Sequence, residues 1–303
     1  MYHLISADVR GRGNCRIGLA KASGKLLSSP GSSHRVFVCA DGPDSAPNVT
    51  LIHGFPISSH DWAPMRPALR QRDLRLVAPD LLGFGHSDKP LQHCYRIHDQ
   101  AEMIMAVWDH FGIASTDLVA HDYGVSVARE LLARCPERIT SVAWLNGGLC
   151  PDLHRPVLAQ RLLHSGLGPR VARAMSYRSF VRSLRSVLGR PVSEEVLAEM
   201  WCSVTHARGN RVVPALMRYI HDRRLHQRRW TEALENFAGP MSFFWGPADP
   251  ISGAHVLNRI RERMPAAQVF ELSDPVVGHY PQVEDPERVG ALVADFLTAS
   301  ARF

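Results

Sequence analysis

One stretch restricts this chain more than any other: Leu118-Val119-Ala120-His121-Asp122-Tyr123-Gly124-Val125-Ser126. An apolar run ends abruptly in an acid, with a small residue two positions to either side. A helical pattern then runs over 125–134. Small residues around one reactive side chain, between a strand and a helix, make a nucleophile elbow. The turn is too tight for larger neighbours, and it lifts the central side chain above the sheet edge. Serine commonly occupies that apex; here it is Asp122. That exchange changes the chemistry the turn can support.

An elbow of this kind needs a parallel sheet around it. Short apolar runs at 34–39, 48–52, 74–78, 116–120 and 139–145 read as strands, with a weak first strand near 24–27. Helical spacing appears at 61–69 and 97–111. Strand–helix alternation with crossovers of this length predicts a mostly parallel, doubly wound α/β sheet. Ligands of such sheets bind beyond the carboxyl ends of the strands, where His53, Asp80, Asp122 and Asn146 fall.

The alternation stops after the sixth strand. Residues 150–232 carry helical patterns, five prolines and a capped helix start at Ser193-Glu194-Glu195, and they read as an all-helical cap. Strand and helix patterns resume at 241–245, 254–264, 268–272 and 287–297. The organisation expected is a poorly defined extension at 1–33, a core at 34–149 and 233–303, and a cap at 150–232.

The 303 residues are ordinary in composition, 45% hydrophobic and 21% charged. No apolar stretch reaches the roughly 20 residues of a membrane span. The N-terminus lacks the apolar run of a secretory signal. Six scattered cysteines without a C-x-x-C pair suit a reducing compartment, so a cytoplasmic location is expected. The formal charge is +6, with arginines concentrated between Arg155 and Arg229. Such a run is either a face for an acidic partner or lipid surface, or a solvated helical exterior. No aromatics interleave the arginines, so a nucleic-acid groove is not expected, and the solvated exterior is the simpler reading.

Three side chains follow their own strands in the order Asp122, Asp249, His279, which is nucleophile, acid and histidine. An aspartate is already ionised at neutral pH and needs no base to attack. Its carboxylate can displace a leaving group from a saturated carbon and form an alkyl ester. Water must then hydrolyse that ester, with His279 as the base and Asp249 orienting the imidazole. The oxyanion of that step needs donors, and the backbone N–H groups of Phe55 and Tyr123 are the candidates. Ser126 is a rival nucleophile, but it lies in the following helix.

These motifs resemble the epoxide hydrolase and haloalkane dehalogenase branch of the α/β-hydrolases. The resemblance rests on His53-Gly54-Phe55-Pro56 with Trp62, Gly83-Phe84-Gly85-His86-Ser87-Asp88-Lys89-Pro90, His121-Asp122-Tyr123-Gly124, and Gly278-His279-Tyr280-Pro281-Gln282-Val283-Glu284-Asp285-Pro286. It runs from about residue 48 to the end. Within the branch the chain is most similar to the mesoderm-specific transcript proteins, through Asn146-Gly147-Gly148 with His154-Arg155-Pro156, Arg218-Tyr219-Ile220, Arg228-Arg229-Trp230 and Gly246-Pro247-Ala248-Asp249-Pro250.

The resemblance implies the α/β-hydrolase fold, no cofactor, and a small apolar epoxide or haloalkane as substrate, with water. The dehalogenases usually carry a tryptophan after the nucleophile and often an asparagine after His-Gly. Here Tyr123 and Phe55 stand there. Epoxide hydrolases protonate the leaving oxygen from cap tyrosines. Tyr219, in Ala215-Leu216-Met217-Arg218-Tyr219, matches one such position, and Tyr177 lies earlier in the cap. Epoxide hydrolysis to a vicinal diol is therefore the leading expectation. Dehalogenation is second, and an idle fold used for binding or signalling is third. Trp62 and Tyr123 are expected to line the substrate pocket. The sixteen histidines show no H-E-x-x-H and no partner acids at ligand spacing, so no metal is expected. Oligomeric state is left open.

Overall fold

The computed structural model describes residues 24–28 and 34–300. Apart from residues 24–28, the expected N-terminal extension lies outside them. Eight strands form one sheet: β1 (Lys25–Ser28), β2 (Arg35–Asp41), β3 (Asn48–Ile52), β4 (Arg75–Pro79), β5 (Thr116–Asp122), β6 (Ile139–Gly147), β7 (Met241–Trp245) and β8 (Gln268–Glu271). Their spatial order is β1-β2-β4-β3-β5-β6-β7-β8. The β1–β2 and β2–β4 pairs are antiparallel, and every later pair is parallel. This is the expected doubly wound, mostly parallel α/β architecture.

Helices cover both faces, so the central strands are largely buried; every residue of β4 and β5 is. Side chains alternate between two cores. Leu118, Ala120, Trp144 and Phe243 pack on one face, and Val119, Ala143 and Phe244 on the other. Each fully buried large side chain contributes about 1.5–3 kcal/mol over its exposed state. The helix Ile97–His110 turns Ile97, Ala101, Ile104 and Trp108 inward at helical spacing.

The helix expected at 61–69 is broken instead. A 3-10 turn, Ser59–Trp62, is followed by a separate helix, Arg66–Arg70. Pro64 has no N–H to continue the first segment, and Pro67 sits where helices begin.

Between β6 and β7 the described chain contains helices and no strand. Leu158–His164, Gly168–Ala174, Tyr177–Arg185, Glu194–Thr205, Val213–Leu216, Tyr219–Leu225 and Gln227–Glu235 lie over the carboxyl edge of the sheet. Ser176 and Ser193 cap the third and fourth of these through their side chains. Among the described residues no helix is long and apolar enough to cross a membrane.

Candidate active site

The turn at Asp122 is as tight as the sequence demands. Asp122 sits at φ 43°, ψ −100°, between β5 and the helix Tyr123–Arg134. Positive φ is strained for a residue with a side chain, and such strain persists only where surroundings enforce it. Those surroundings are close: a Cβ on Gly124 would lie 2.2 Å from the Ile52 carbonyl oxygen.

Asp122, Asp249 and His279 come together at the carboxyl ends of β5, β7 and β8. His279 Nδ1 lies 2.8 Å from Asp249 Oδ2, and Nε2 lies 3.9 Å from Asp122 Oδ2. Asp249 is held by the Ile251 N–H at 2.7 Å, the Ser252 hydroxyl at 2.6 Å and the Asn146 amide at 3.1 Å. The Phe55 N–H donates to Asp122 Oδ2 at 3.1 Å. Tyr123, whose N–H is the other expected oxyanion donor, is the first residue of the helix after Asp122.

All three groups are buried, and their charges are coupled. Burial opposes the Asp122 carboxylate. The facing His279 imidazolium, then the charge of Arg223, outweigh it and hold the carboxyl well below the usual range. Burial likewise opposes the His279 imidazolium, but Asp249 and Asp122 dominate and push its pKa up to about 10. Asp249 is lowered against its own burial by His279, Ser252 and the Ile251 N–H. In the resting protein the imidazolium thus lies between two carboxylates.

A cavity of about 660 Å³ opens over this group. Asp122, His279, Tyr280, Phe55 and Pro56 line its floor. Its walls are apolar and come from the cap, including Leu163, Val171, Met175, Phe180, Leu184 and Val187.

Four residues expected at the site are placed differently. The Tyr177 hydroxyl donates to Glu194 at 3.2 Å on the outer side of the cap, and its ring packs on Trp201. Tyr177 occupies the first position of its helix, and that position turns it away from the cavity. Trp62 is buried in the core on the other face of the sheet, with Phe37, Met65 and Leu69, and lines no part of the cavity. The Tyr123 ring packs against Phe84 and Tyr219 and lines no part of the cavity, since its place at the first position of the helix carries it into the core. Tyr219 is buried one layer behind the wall. Its hydroxyl accepts from the Gln160 amide at 3.4 Å, and Gln160 itself faces the cavity.

Other groups complete the site, and one of them carried no readable signal. Arg223, 101 residues from Asp122 along the chain, reaches in from the cap. It is 3% exposed. It donates to the Asp122 carbonyl oxygen at 2.8 Å and to the Ser126 hydroxyl at 2.7 Å, and it approaches Asp122 Oδ1 at 3.4 Å. Its guanidinium lies 4.4 Å from the centre of the Tyr219 ring. Ser126 is therefore the acceptor of an arginine. Gly148 makes room for this side chain, since a Cβ there would lie 2.3 Å from the guanidinium carbon.

His121 Nε2 donates to the His279 carbonyl oxygen at 2.7 Å, which leaves Nδ1 to accept from Gln282 at 3.1 Å. Burial and the His279 charge push the His121 pKa down to about 3, so it stays neutral. Glu284 gathers the N–H groups of Gly189, Arg190 and Gly278 at 2.7–2.9 Å, tying a cap loop to the His279 loop. His53 braces the turn it belongs to: Nε2 accepts the Leu81 N–H at 3.0 Å, and Nδ1 lies 2.9 Å from the Gly54 carbonyl oxygen. Among the described residues no cluster of three or more His, Cys, Asp or Glu side chains is placed to hold a metal.

Comparison with known proteins agrees with this geometry. The family model of the alpha/beta hydrolase fold matches residues 47–193. The mesoderm-specific transcript homolog protein of Homo sapiens is 40% identical over 282 residues, covering 88% of this chain and 83% of that one. The cis-3-alkyl-4-alkyloxetan-2-one decarboxylase of Shewanella oneidensis is 28% identical over 82% of this chain and 81% of its own. A solved structure of a loop variant of the haloalkane dehalogenase DbeA from Bradyrhizobium elkanii superposes with a TM-score of 0.76 at 26% identity, covering 92% of this chain and 97% of that one. With an elbow, a mostly parallel sheet and relatives of this similarity, the chain belongs to the α/β-hydrolase-fold family that includes the mesoderm-specific transcript proteins.

Proposed function

We propose that this protein is a hydrolase in which Asp122 attacks a saturated carbon of an apolar substrate and forms an alkyl-enzyme ester. One observation carries the reading: a carboxylate, kept ionised, occupies the strained elbow at the floor of an apolar cavity with His279 and Asp249 behind it.

The proton balance follows from the coupled charges. Attack by Asp122 converts its carboxylate to a neutral ester, which removes one of the two charges that hold His279 protonated. His279 then yields its proton as the leaving group departs, and an epoxide oxygen needs one proton to become a hydroxyl. Neutral His279 takes a proton from water, the hydroxide adds to the ester carbonyl, and the C–O bond to the enzyme carbonyl breaks. The diol leaves, and the Asp122 carboxylate and the His279 imidazolium are restored. The developing oxyanion is met by the Phe55 N–H.

An epoxide of a medium or long alkyl chain is the preferred substrate. The apolar walls suit the chain. The Gln160–Tyr219 pair is a polar group on the cap side of the cavity, where the ring oxygen would leave. A second reading has a specific observation behind it. The member of that pair on the wall is an amide, which donates a hydrogen bond without yielding a proton. That favours a leaving group stable as an anion. A halide is one. The carboxylate formed when a strained oxetan-2-one ring opens at its saturated C–O carbon is another; it stays on the substrate, and its loss as carbon dioxide expels the Asp122 carboxylate and leaves an alkene. The Shewanella relative is named as a decarboxylase of such a ring.

Purified protein challenged with alkyl epoxides, 1-haloalkanes and dialkyl oxetan-2-ones distinguishes these by release of diol, halide or carbon dioxide. Turnover should fall at least about 10⁴-fold in Asp122→Asn. With His279→Gln and a 1-haloalkane, whose leaving group needs no proton, intact mass should show one covalent adduct per chain. Turnover retained in Asp122→Asn overturns the nucleophile assignment. Diol release unaffected by Tyr219→Phe removes the phenol from the reaction.

A further inference from the structure

The mouth of the cavity is defined by residues that line it and are themselves exposed: Leu158, Leu162, Ala174, Ser179, Arg182 and Ser186. Leu158 is 71% exposed and Leu162 is 41% exposed. Leu167, on the turn between the first two cap helices, is 53% exposed. Leu158 and Leu162 border the opening and Leu167 follows on the next turn; large apolar side chains this exposed and this close along the chain are not the scattered surface leucines of an ordinary protein.

The charge around them is one-sided. Between Asp152 and Glu194 the chain contains no acidic residue and eight arginines. Two of these have carboxylate partners, Arg185 with Glu194 and Arg190 with Asp285. Arg155, Arg161, Arg170, Arg173, Arg178 and Arg182 are exposed and have no carboxylate partner among the described residues. Elsewhere on the surface, arginines are commonly paired, as Arg66 and Arg70 are with Asp41 and Arg228 is with Glu232. A merely solvated helical face would be expected to mix the two signs.

We infer that the face of the cap formed by the helices Leu158–His164, Gly168–Ala174 and Tyr177–Arg185 docks on an anionic lipid bilayer, with the cavity mouth turned towards it. The leucines enter the boundary between headgroups and acyl chains, and the arginines meet the lipid phosphates. An acidic protein would satisfy the arginines but would close the mouth and leave three leucines to match. A bilayer satisfies both, and an apolar substrate dissolved in it could pass into the cavity without crossing water. The docking does not depend on which reaction Asp122 performs.

Co-sedimentation of the full chain with phosphatidylcholine vesicles, with and without phosphatidylglycerol, tests this without any substrate. Binding should be at least about tenfold tighter to the anionic vesicles, and it should weaken as salt screens the charges. Replacing Arg170, Arg173 and Arg182 together by Gln should remove that preference. Leu158→Ser with Leu162→Ser should leave only a weak, fully salt-sensitive association. Arg228→Gln should bind as wild type does. Equal binding to both vesicles, or none to either, overturns the inference. So does a protein that ignores vesicles but binds polyglutamate, which would mark an acidic macromolecule. Self-association that those same leucine changes abolish, with no vesicle binding, would point to a second copy of the chain and would also overturn it.

Discussion

Two arginines of the same cap stand in opposite situations. Arg223 is buried against Asp122, with a partner for its donors on the Asp122 carbonyl, on Ser126 and over the Tyr219 ring. Arg182 stands in solvent at the cavity mouth with no carboxylate partner among the described residues. The difference extends to their neighbours. The later cap arginines divide: Arg229 pairs with Glu130 on the core and Arg228 with Glu232 on its own helix, whereas Arg208, Arg211, Arg218 and Arg224 are exposed with no carboxylate partner among the described residues. The arginines from Arg155 to Arg182 face outward. One part of the cap is therefore fastened to the elbow, while the other presents charge to whatever lies outside.

The sharpest way to break this comparison is to remove the inward arginine. Arg223→Met leaves the Asp122 carbonyl and the Ser126 hydroxyl without their donor in a buried place. It should reduce stability by about 3–5 kcal/mol in urea unfolding. Arg223→Lys should recover only part of this, because a point charge cannot serve both acceptors as a planar fork does. A loss below about 1 kcal/mol in Arg223→Met would show that the cap is not fastened there.

A smaller effect concerns pH. His279 is raised from the ordinary value of 6.5 to about 10, so its contribution to stability is complete below the ordinary value. It is lost as pH rises through about 10. The depressed carboxyls of Asp122 and Asp249 act in the opposite sense. Their contribution is present above the usual carboxylate range and is lost as pH falls through their lowered values. Unfolding free energy should therefore fall on the alkaline side. In Asp122→Asn the His279 pKa should drop by about 1–3 units, since one of its two counter-charges is gone. Imidazole NMR titration measures the shift directly. An unchanged His279 pKa would contradict the charge coupling on which the proton balance depends.

Gly148→Ala probes the same fastening from the core side. The added Cβ strikes the Arg223 guanidinium, and relief requires the arginine to move. The expected loss is about 1–3 kcal/mol, and it should largely vanish in an Arg223→Met background. At the bottom of the scale, Arg170→Gln or Arg173→Gln should change stability by no more than about 0.5 kcal/mol. A larger loss would mean that the outward arginines have internal work and would remove the contrast.

Much of the fold was legible because its signals are local. The runs at 48–52 and 241–245 coincide with β3 and β7, and the elbow was readable from Ala120, Asp122 and Gly124 alone. Asp249 and His279 were legible because each follows its own strand. Direction was harder to read. Trp62 belongs to a motif beside the oxyanion turn, yet its ring faces the opposite core. Tyr177 and Tyr219 both belong to the cap, and periodicity does not say which helix face meets the cavity. The first is held outside by Glu194, and the second sits behind Gln160. Arg223 looked like an ordinary surface charge in the chain, and the motif that contains Glu284 does not say what its carboxylate holds.

By itself the sequence determined the parallel sheet, the placing of Asp122, Asp249 and His279 each after its own strand, and an aspartate where serine is usual. Each of these follows from neighbours within a few positions and from the reach of a strand or a turn. Only the tertiary structure decided what the aspartate meets. It brought Arg223 across 101 residues to the elbow, turned Phe55 N–H towards the carboxylate, and set His279 between two buried acids. It also sorted the cap arginines into those that hold the site and those that face away from it. Side-chain direction depends on how separate elements pack against one another, and that information is not local to any stretch of the chain.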